Sequence, residues 1–484
     1  MKDTLPTGKS LILIIIVASL ATFMSSLDGT IVNIALPSIA EQFGLSTSSV
    51  AWVSTIYLLV MAGLLLIVGK LTDTIGLKKI FLAGFGIFVI GSFACGFLPE
   101  YFGSFVILLV SRVVQAIGGV MMMVVAPAML SRFMPGDRRA KGLSMVMVFA
   151  AVGMALGPTL GGILTEYLSW NWIFYINVPI GIIAVILGLI VIPKTIADSC
   201  PRKKFDTQGA VLIFVGLAAL LLTITEGFAM GWTSPPIIVS TLLAVICIAA
   251  FIRRELRYDN PLIDLTMFRS RSFVILNIIY SVLFFTFAGA SYMLPFCLEY
   301  VHGFSVSEAG LILSTLSVGM MLTGVLSGFV YAKLVGKIKY MVMTGVLMIG
   351  IGYLLLSSLS PVSGLGVILT ALSVIGLGLG VTITPLTTLI MGAAPPSKQG
   401  MVSGLTGLER FGPMTIGVAV YNLIVIIGII TIVENSGITE MPPADITASI
   451  LSLGFDLAFL VSVILALVVL ILCFFIKEEK ATEE

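Results

Sequence analysis

Long apolar runs, broken by short charged or turn-rich segments, recur fourteen times along the chain. They cover residues 10–34, 48–68, 79–98, 103–125, 140–164, 170–192, 208–228, 235–252, 272–298, 308–332, 339–358, 364–392, 399–430 and 448–476. About 20 consecutive apolar residues in a helix cross a hydrocarbon core about 30 Å thick. Lipid offers no partner to backbone amides and carbonyls, so spans are helices or strands of a closed barrel. These runs are too long for barrel strands of about ten residues. The pattern therefore predicts an all-α polytopic membrane protein with 14 transmembrane helices.

The polar positions between the runs alternate in charge. Loops 2–3 (Lys70, Lys78, Lys79), 4–5 (Arg132, Arg138, Arg139, Lys141), 6–7 (Lys194, Arg202, Lys203, Lys204), 8–9 (Arg253, Arg254, Arg257, Arg269, Arg271), 10–11 (Lys333, Lys337, Lys339) and 12–13 (Lys398) are basic, as are both termini. The intervening loops carry no Lys or Arg but hold Glu41, Glu100, Glu308, Glu434, Glu440 and Asp445. Basic loops stay on the cytoplasmic side, so both termini are expected in the cytoplasm of a cell-membrane protein. Trp52, Trp170, Trp172 and Trp232 fall near the opposite, acidic ends of their spans, where an interfacial aromatic belt is expected. The first run follows Lys2 and Lys9 like a signal peptide but continues into Asp28 without a small-residue cleavage site. It reads as a retained anchor.

The two longest basic connections flank spans 7 and 8. They suggest two six-helix bundles with two inserted helices between them: residues 1–200, the inserted pair in 201–260, and 261–484. A faint internal repeat agrees. Gly142-Leu143-Ser144 with Phe149 in span 5 matches Gly404-Leu405-Thr406 with Phe411 in span 13 at equal spacing, and repeats are the usual plan of secondary transporters.

Composition narrows the chemistry. The 484 residues are 58% hydrophobic and 10% charged, against about 25% charged in soluble domains, and mean hydropathy is +1.16. A net charge of +2 implies no nucleic-acid partner. Cys95, Cys200, Cys247, Cys297 and Cys473 form no CxxC pair, and His302 is the sole histidine, so neither a disulfide framework nor a metal site is expected. His302 reads as a solvated loop residue. The chain lacks the Walker sequence of a nucleotide-driven pump. No cofactor and no enzymatic activity are expected.

Four segments carry a resemblance. Leu27-Asp28-Gly29-Thr30-Ile31-Val32-Asn33-Ile34-Ala35-Leu36-Pro37 closes span 1. Gly69-Lys70-Leu71-Thr72-Asp73-Thr74-Ile75-Gly76-Leu77-Lys78-Lys79 forms loop 2–3. Arg112-Val113-Val114-Gln115-Ala116-Ile117-Gly118 lies in span 4, and Gly153-Met154-Ala155-Leu156-Gly157-Pro158-Thr159-Leu160-Gly161-Gly162 in span 5. In this order, under a fourteen-span count, they resemble the major facilitator superfamily, in particular its fourteen-span drug:proton antiporter branch of multidrug efflux proteins. The match covers the first half. Departures are Ala116 in place of a common Gly, Asn171 between Trp170 and Trp172 where Arg is frequent, and Glu299 where Gln is common. The resemblance implies a cytoplasmic latch at Gly69, Asp73, Gly76, Lys78 and Lys79, with Gly69 and Gly76 permitting a tight reversal. It also implies a proton-exchanging exporter from the span-5 motif.

Physical reasoning selects the charges. Asp28 stands 19 residues from Lys9, about 28 Å along a helix, and Arg112 stands 20 residues from Arg132, about 30 Å. Both reach one depth, and a charge in a bilayer needs a partner or a wet cavity. Arg112 is expected to hold down the proton affinity of Asp28 in one state and release it in another. Glu409 and Arg410 lie about 17–18 Å from Lys398 and, being adjacent, face different neighbours. Glu409 is the favoured carboxylate of the second half. Asp456, Glu226 and Glu299 are further candidates, the last two near interfaces. Gly153, Gly157 and Gly161 make one smooth face, with Pro158 able to bend the helix. Met121, Met122 and Met123 read as pocket lining or plain packing.

The reading is a proton-coupled secondary transporter that exports lipophilic drugs or toxic compounds, cations included, by alternating access, with antibiotic resistance as its consequence. Its partners are a small-molecule substrate, protons and the lipid bilayer, and the chain acts as a monomer. The alternatives are a proton-coupled exporter of an endogenous metabolite (amino acid, lipid precursor or siderophore), proton-coupled uptake, and, remotely, a channel or membrane sensor.

Overall fold

Every apolar run folds as helix. The computed structural model describes residues 8–133, 136–193, 206–258, 261–262, 265–331, 338–393, 399–436 and 444–476, and among them there is no strand. The helices are α1 (Gly8–Phe43), α2 (Thr47–Ile75), α3 (Leu77–Phe102), α4 (Phe105–Phe133), α5 (Gly136–Tyr167), the single turn α6 (Trp172–Tyr175), α7 (Asn177–Val191), α8 (Thr207–Met230), α9 (Pro235–Glu255), α10 (Arg271–Tyr300), α11 (Val306–Tyr331), α12 (Ile338–Leu356), α13 (Leu365–Gly392), α14 (Gln399–Ser436) and α15 (Ala444–Phe474). They provide 14 membrane-length apolar spans, α6 and α7 together making one crossing. The largest departure from expectation is α1, which runs on to Phe43. Leu36, Ile39 and Ala40 are buried, so packing carries the helix past Pro37. Large apolar side chains such as Ile90, Ile190 and Ile246 are exposed, as in a surface solvated by lipid.

Helices α1–α7 pack as one bundle and α10–α15 as a second. The bundles meet along two seams, α5 against α11 and α2 against α14. Counted by spans, a shift of eight turns the pair 5/10 into 13/2, so the two seams are the same pair exchanged. The internal repeat therefore reappears in three dimensions.

Helices α8 and α9 form a hairpin beside the second seam, where α8 packs on both α2 and α14. Asp206 caps α8 by accepting from the Gly209 amide at 2.9 Å. Its two oxygens also accept from Arg254 Nε at the end of α9, at 2.6 and 2.8 Å, tying the hairpin ends together. Midway, Thr223 and Ser240 share a hydrogen bond of 2.5 Å. Trp52 Nε1 on α2 donates to Glu226 Oε1 on α8 at 2.8 Å.

Two loop expectations are corrected. Trp170 is buried rather than part of a belt: its indole donates to Gln42 Oε1, and its ring packs against Phe43 and Phe174. His302 is half-buried against Phe304, and its Nε2 has no partner. Loss of solvent holds its pKa below the usual imidazole value, so it is more readily neutral than a solvated histidine. Asn171 ties its loop to the end of α3, donating to the Gly96 carbonyl (2.5 Å) and Glu100 Oε2 (3.1 Å).

Candidate transport site

The expected span-1 and span-4 charges meet. Arg112 on α4 donates from Nη1 to Asp28 Oδ2 on α1 at 3.0 Å, and the two residues are 1% and 0% exposed. Gln115, one turn along α4, completes the group. Its Oε1 accepts from Arg112 Nη1 at 2.6 Å, and its Nε2 lies 2.8 Å from both Asp28 Oδ1 and Ser92 Oγ on α3. Asn177, the first residue of α7, donates to Asp28 Oδ1 at 3.2 Å. Arg112 Nε donates to the Val53 carbonyl of α2 at 3.2 Å, and the guanidinium stacks 4.1 Å over the Tyr57 ring. Five helices thus share one polar group, α4 and α7 bonding the Asp28 carboxylate of α1 directly and α2 and α3 holding Arg112 and Gln115. Close contact of α3 with α4 makes this possible, because Gly91 on α3 lies directly against the Gln115 backbone.

A buried ion pair is tolerable only when its remaining lone pairs and protons are satisfied, and here Asp28 accepts three side-chain hydrogen bonds. Motif reading found Asp28, Arg112 and Gln115 but missed Asn177, Ser92 and Tyr57. The available signal for Asn177 was a lone amide inside an apolar run.

The span-5 motif has two working faces. Gly153, Gly157 and Gly161 lie against Phe23, Thr30 and Ile31 of α1, in a contact so close that a Cβ at Gly153 would stand 2.5 Å from the Phe23 carbonyl oxygen. On its other side, the Pro158 carbonyl meets Gly310 of α11, and a Cβ at Gly162 would sit 2.6 Å from the Val306 carbonyl oxygen. Nearby, Glu166 Oε2 accepts from the Ser307 amide at 2.8 Å, and Tyr292 Oη donates to the Thr47 carbonyl. These contacts join the two bundles at the end carrying the acidic loops.

The loop 2–3 motif divides. The reversal between α2 and α3 is made by Gly76 alone, at φ 100°. Gly69 lies inside α2 with open space where a Cβ would go, so its expected part in the turn is corrected. Lys78 caps α7 within its own bundle, its Nζ donating to the Leu189 and Ile192 carbonyls at 2.7 Å each. This satisfies helix-end carbonyls and places a cation at the negative end of the helix dipole. Lys79 is exposed. The Asp73 side chain lies outside the described residues. Lys78→Met is expected to cost about 1–2 kcal/mol and to raise amide exchange at residues 189–193. Unchanged exchange would show the cap to be idle.

The remaining candidates stay apart from the Asp28 group. Glu226 is held by Trp52. Glu299, near the end of α10, is half-buried with Oε1 unpartnered, and Asp456 on α15 is half-buried. Glu409 Oε2 and Arg410 Nε have no hydrogen-bond partner. Met121 and Met122 are buried, Met121 against Gly84 of α3, which makes them packing residues.

The decisive comparison is with sequence families: residues 18–418 match the Major Facilitator Superfamily. The chain belongs to this family. Among relatives of this Major Facilitator Superfamily protein, Multidrug resistance protein Stp of Mycobacterium tuberculosis is 30% identical over 414 residues, 85% of this chain and 75% of that one. Riboflavin transporter RibZ of Clostridioides difficile is 32% identical over 416 residues, covering 85% and 87%. Multidrug export protein EmrB of Escherichia coli is 30% identical over 415 residues, covering 85% and 80%. The fold is shared with a bacterial homologue of the human lysosomal transporter Spinster, at TM-score 0.68 and 15% identity over 97% of this chain and 98% of that chain. It is also shared with a POT family transporter in complex with 5-aminolevulinic acid, at TM-score 0.68 and 14% identity over 99% and 98%. The protein is a multi-pass membrane transporter of the Major Facilitator Superfamily, and such a transporter moves a small-molecule substrate.

Proposed function

We propose that this transporter exports lipophilic compounds, cations among them, in exchange for protons. The observation that carries the reading is the occluded Asp28 carboxylate, which accepts from Arg112 and Gln115 of α4 and Asn177 of α7, while Val53 of α2 and Ser92 of α3 hold Arg112 and Gln115 in place. A shift among those helices changes how many donors Asp28 keeps, and so changes its affinity for a proton. Relatives named for multidrug resistance and multidrug export support the direction and the substrate class. We take residues 1–200 and 261–484 as the rocking units, with both termini cytoplasmic in the cell membrane. The protein acts as a monomer. At 100 mV, one charge moving inward supplies about 2.3 kcal/mol.

The relative named as a riboflavin transporter supports a second reading, export of an endogenous metabolite. Proteoliposomes loaded with a pH-sensitive dye test both. With a proton gradient imposed, a panel of lipophilic cations and neutral drugs is expected to drive proton flux, and Asp28→Asn to abolish it. Flux that persists in Asp28→Asn refutes the coupling role. Silence across the panel transfers the reading to a metabolite.

A further inference from the structure

The second bundle carries a cation that the Asp28 group does not use. Arg410 on α14 stands 12 residues from Lys398, about 18 Å along the helix and so close to mid-membrane. It forms no ion pair among the described residues, and its Nε has no hydrogen-bond partner. Its guanidinium carbon lies 5.3 Å from the Phe284 ring centre on α10 and 5.4 Å from that of Phe411. Tyr280 extends the aromatic wall, its ring 4.8 Å from Phe284 in an edge-on arrangement.

Helix geometry shows where this group points. Gly407, one turn before Arg410, presses on Leu65 of α2 in the opposite bundle, and Gly417, two turns after it, presses on the Phe285 carbonyl of α10. Arg410 therefore sits where α14 faces both α10 and α2, on the seam between the bundles. Glu409 is turned about 100° away around the helix and is not its partner.

Aromatic faces stabilise a guanidinium by about 0.5–2 kcal/mol but leave its five N–H donors unfilled. A planar carboxylate fills two of them at once in a charge-assisted fork. A monoanion balances the single charge of Arg410, whereas a dianion would leave surplus negative charge in a buried seam. Phe284, Phe411 and Tyr280 are themselves buried around the arginine, so their ring faces serve an aromatic body where the seam parts.

We infer that Arg410, Phe284 and Phe411 form a subsite for aromatic substrates bearing a single carboxylate. The inference rests on the transport reading above only in taking the seam as the substrate's path. It widens the substrate class beyond cations to aromatic acids.

The test is equilibrium dialysis of 2-naphthoate and of 2-naphthamide against the full chain in lipid nanodiscs, with empty nanodiscs as the blank. The acid is expected to bind about tenfold or more tightly than the amide, as a hydrogen bond to a charged group implies. Arg410→Gln is expected to erase that preference, and Arg410→Lys to restore part of it, because charge returns without the fork. Equal binding of acid and amide, binding of neither, or a preference that survives Arg410→Gln overturns the subsite. The measurement needs no proton gradient. Its failure is therefore separable from failure of the antiport reading, which is judged by Asp28-dependent proton flux.

Discussion

Arg112→Leu is expected to be among the most destabilising single changes in the protein, and Asp28→Asn to rescue it. The carboxylate of Asp28 is fully buried, and without the guanidinium it keeps only the amide donors of Gln115 and Asn177. Removing one member of a buried ion pair costs about 3–5 kcal/mol, because a charge remains without compensation. Replacing both members is commonly near neutral. The double variant Asp28→Asn/Arg112→Leu should therefore recover most of the loss, giving a coupling energy of about 2–3 kcal/mol in the cycle. Reversible unfolding of the four proteins in mixed micelles measures it. Strictly additive losses would mean that Asp28 and Arg112 do not support each other.

The second large effect concerns the joint at the acidic-loop end. A Cβ at Gly310 would run into the Pro158 carbonyl of α5, so both sides of the contact are backbone and neither yields as a side chain would. Gly310→Val should push α11 off α5. Overpacking of this kind costs about 1–3 kcal/mol, which moves a two-state balance by about 5–150-fold. The change penalises the state closed at that end and leaves the other untouched. Spin labels at Glu166→Cys and Ser307→Cys report it directly, since these positions touch across the seam. The short-distance population should shrink in Gly310→Val, and transport should fall with it. A matched control is Gly69→Ala, where nothing stands within 4 Å of the added atom. An unaltered distance distribution in Gly310→Val would show that the joint is not a gate contact.

Much of this architecture is legible before any coordinates. Spans are legible because lipid leaves the backbone no alternative to helix, so apolar length alone locates them. Asp28 and Arg112 are legible because helix rise converts residue counts into depth. What stays hidden is partnership between distant segments. Nothing local to Asn177 or Ser92 says that one reaches Asp28 and the other Gln115, since their distance from those partners along the chain carries no spacing rule. Lys78 illustrates a different limit: a basic residue at a loop serves topology equally well whether or not it caps α7. Gly69 looked like half of a turn, but α2 continues through it to Ile75, and Gly76 alone supplies the backbone angle. Adjacency on a helix turns Glu409 away from Arg410 but cannot show that aromatic rings, and among the described residues no ion-pair partner, stand beside the arginine.

The position of α8 makes the two sides of the molecule unequal. Among the described residues neither helix of the inserted pair packs extensively along α5 and α11, whereas along α2 and α14 the seam is backed by α8, pinned through Trp52 and Glu226. A two-bundle protein without the hairpin would offer the surrounding bilayer two equivalent side doors. Here one of the two is covered by α8, so the flanks that the internal repeat makes alike face the bilayer differently.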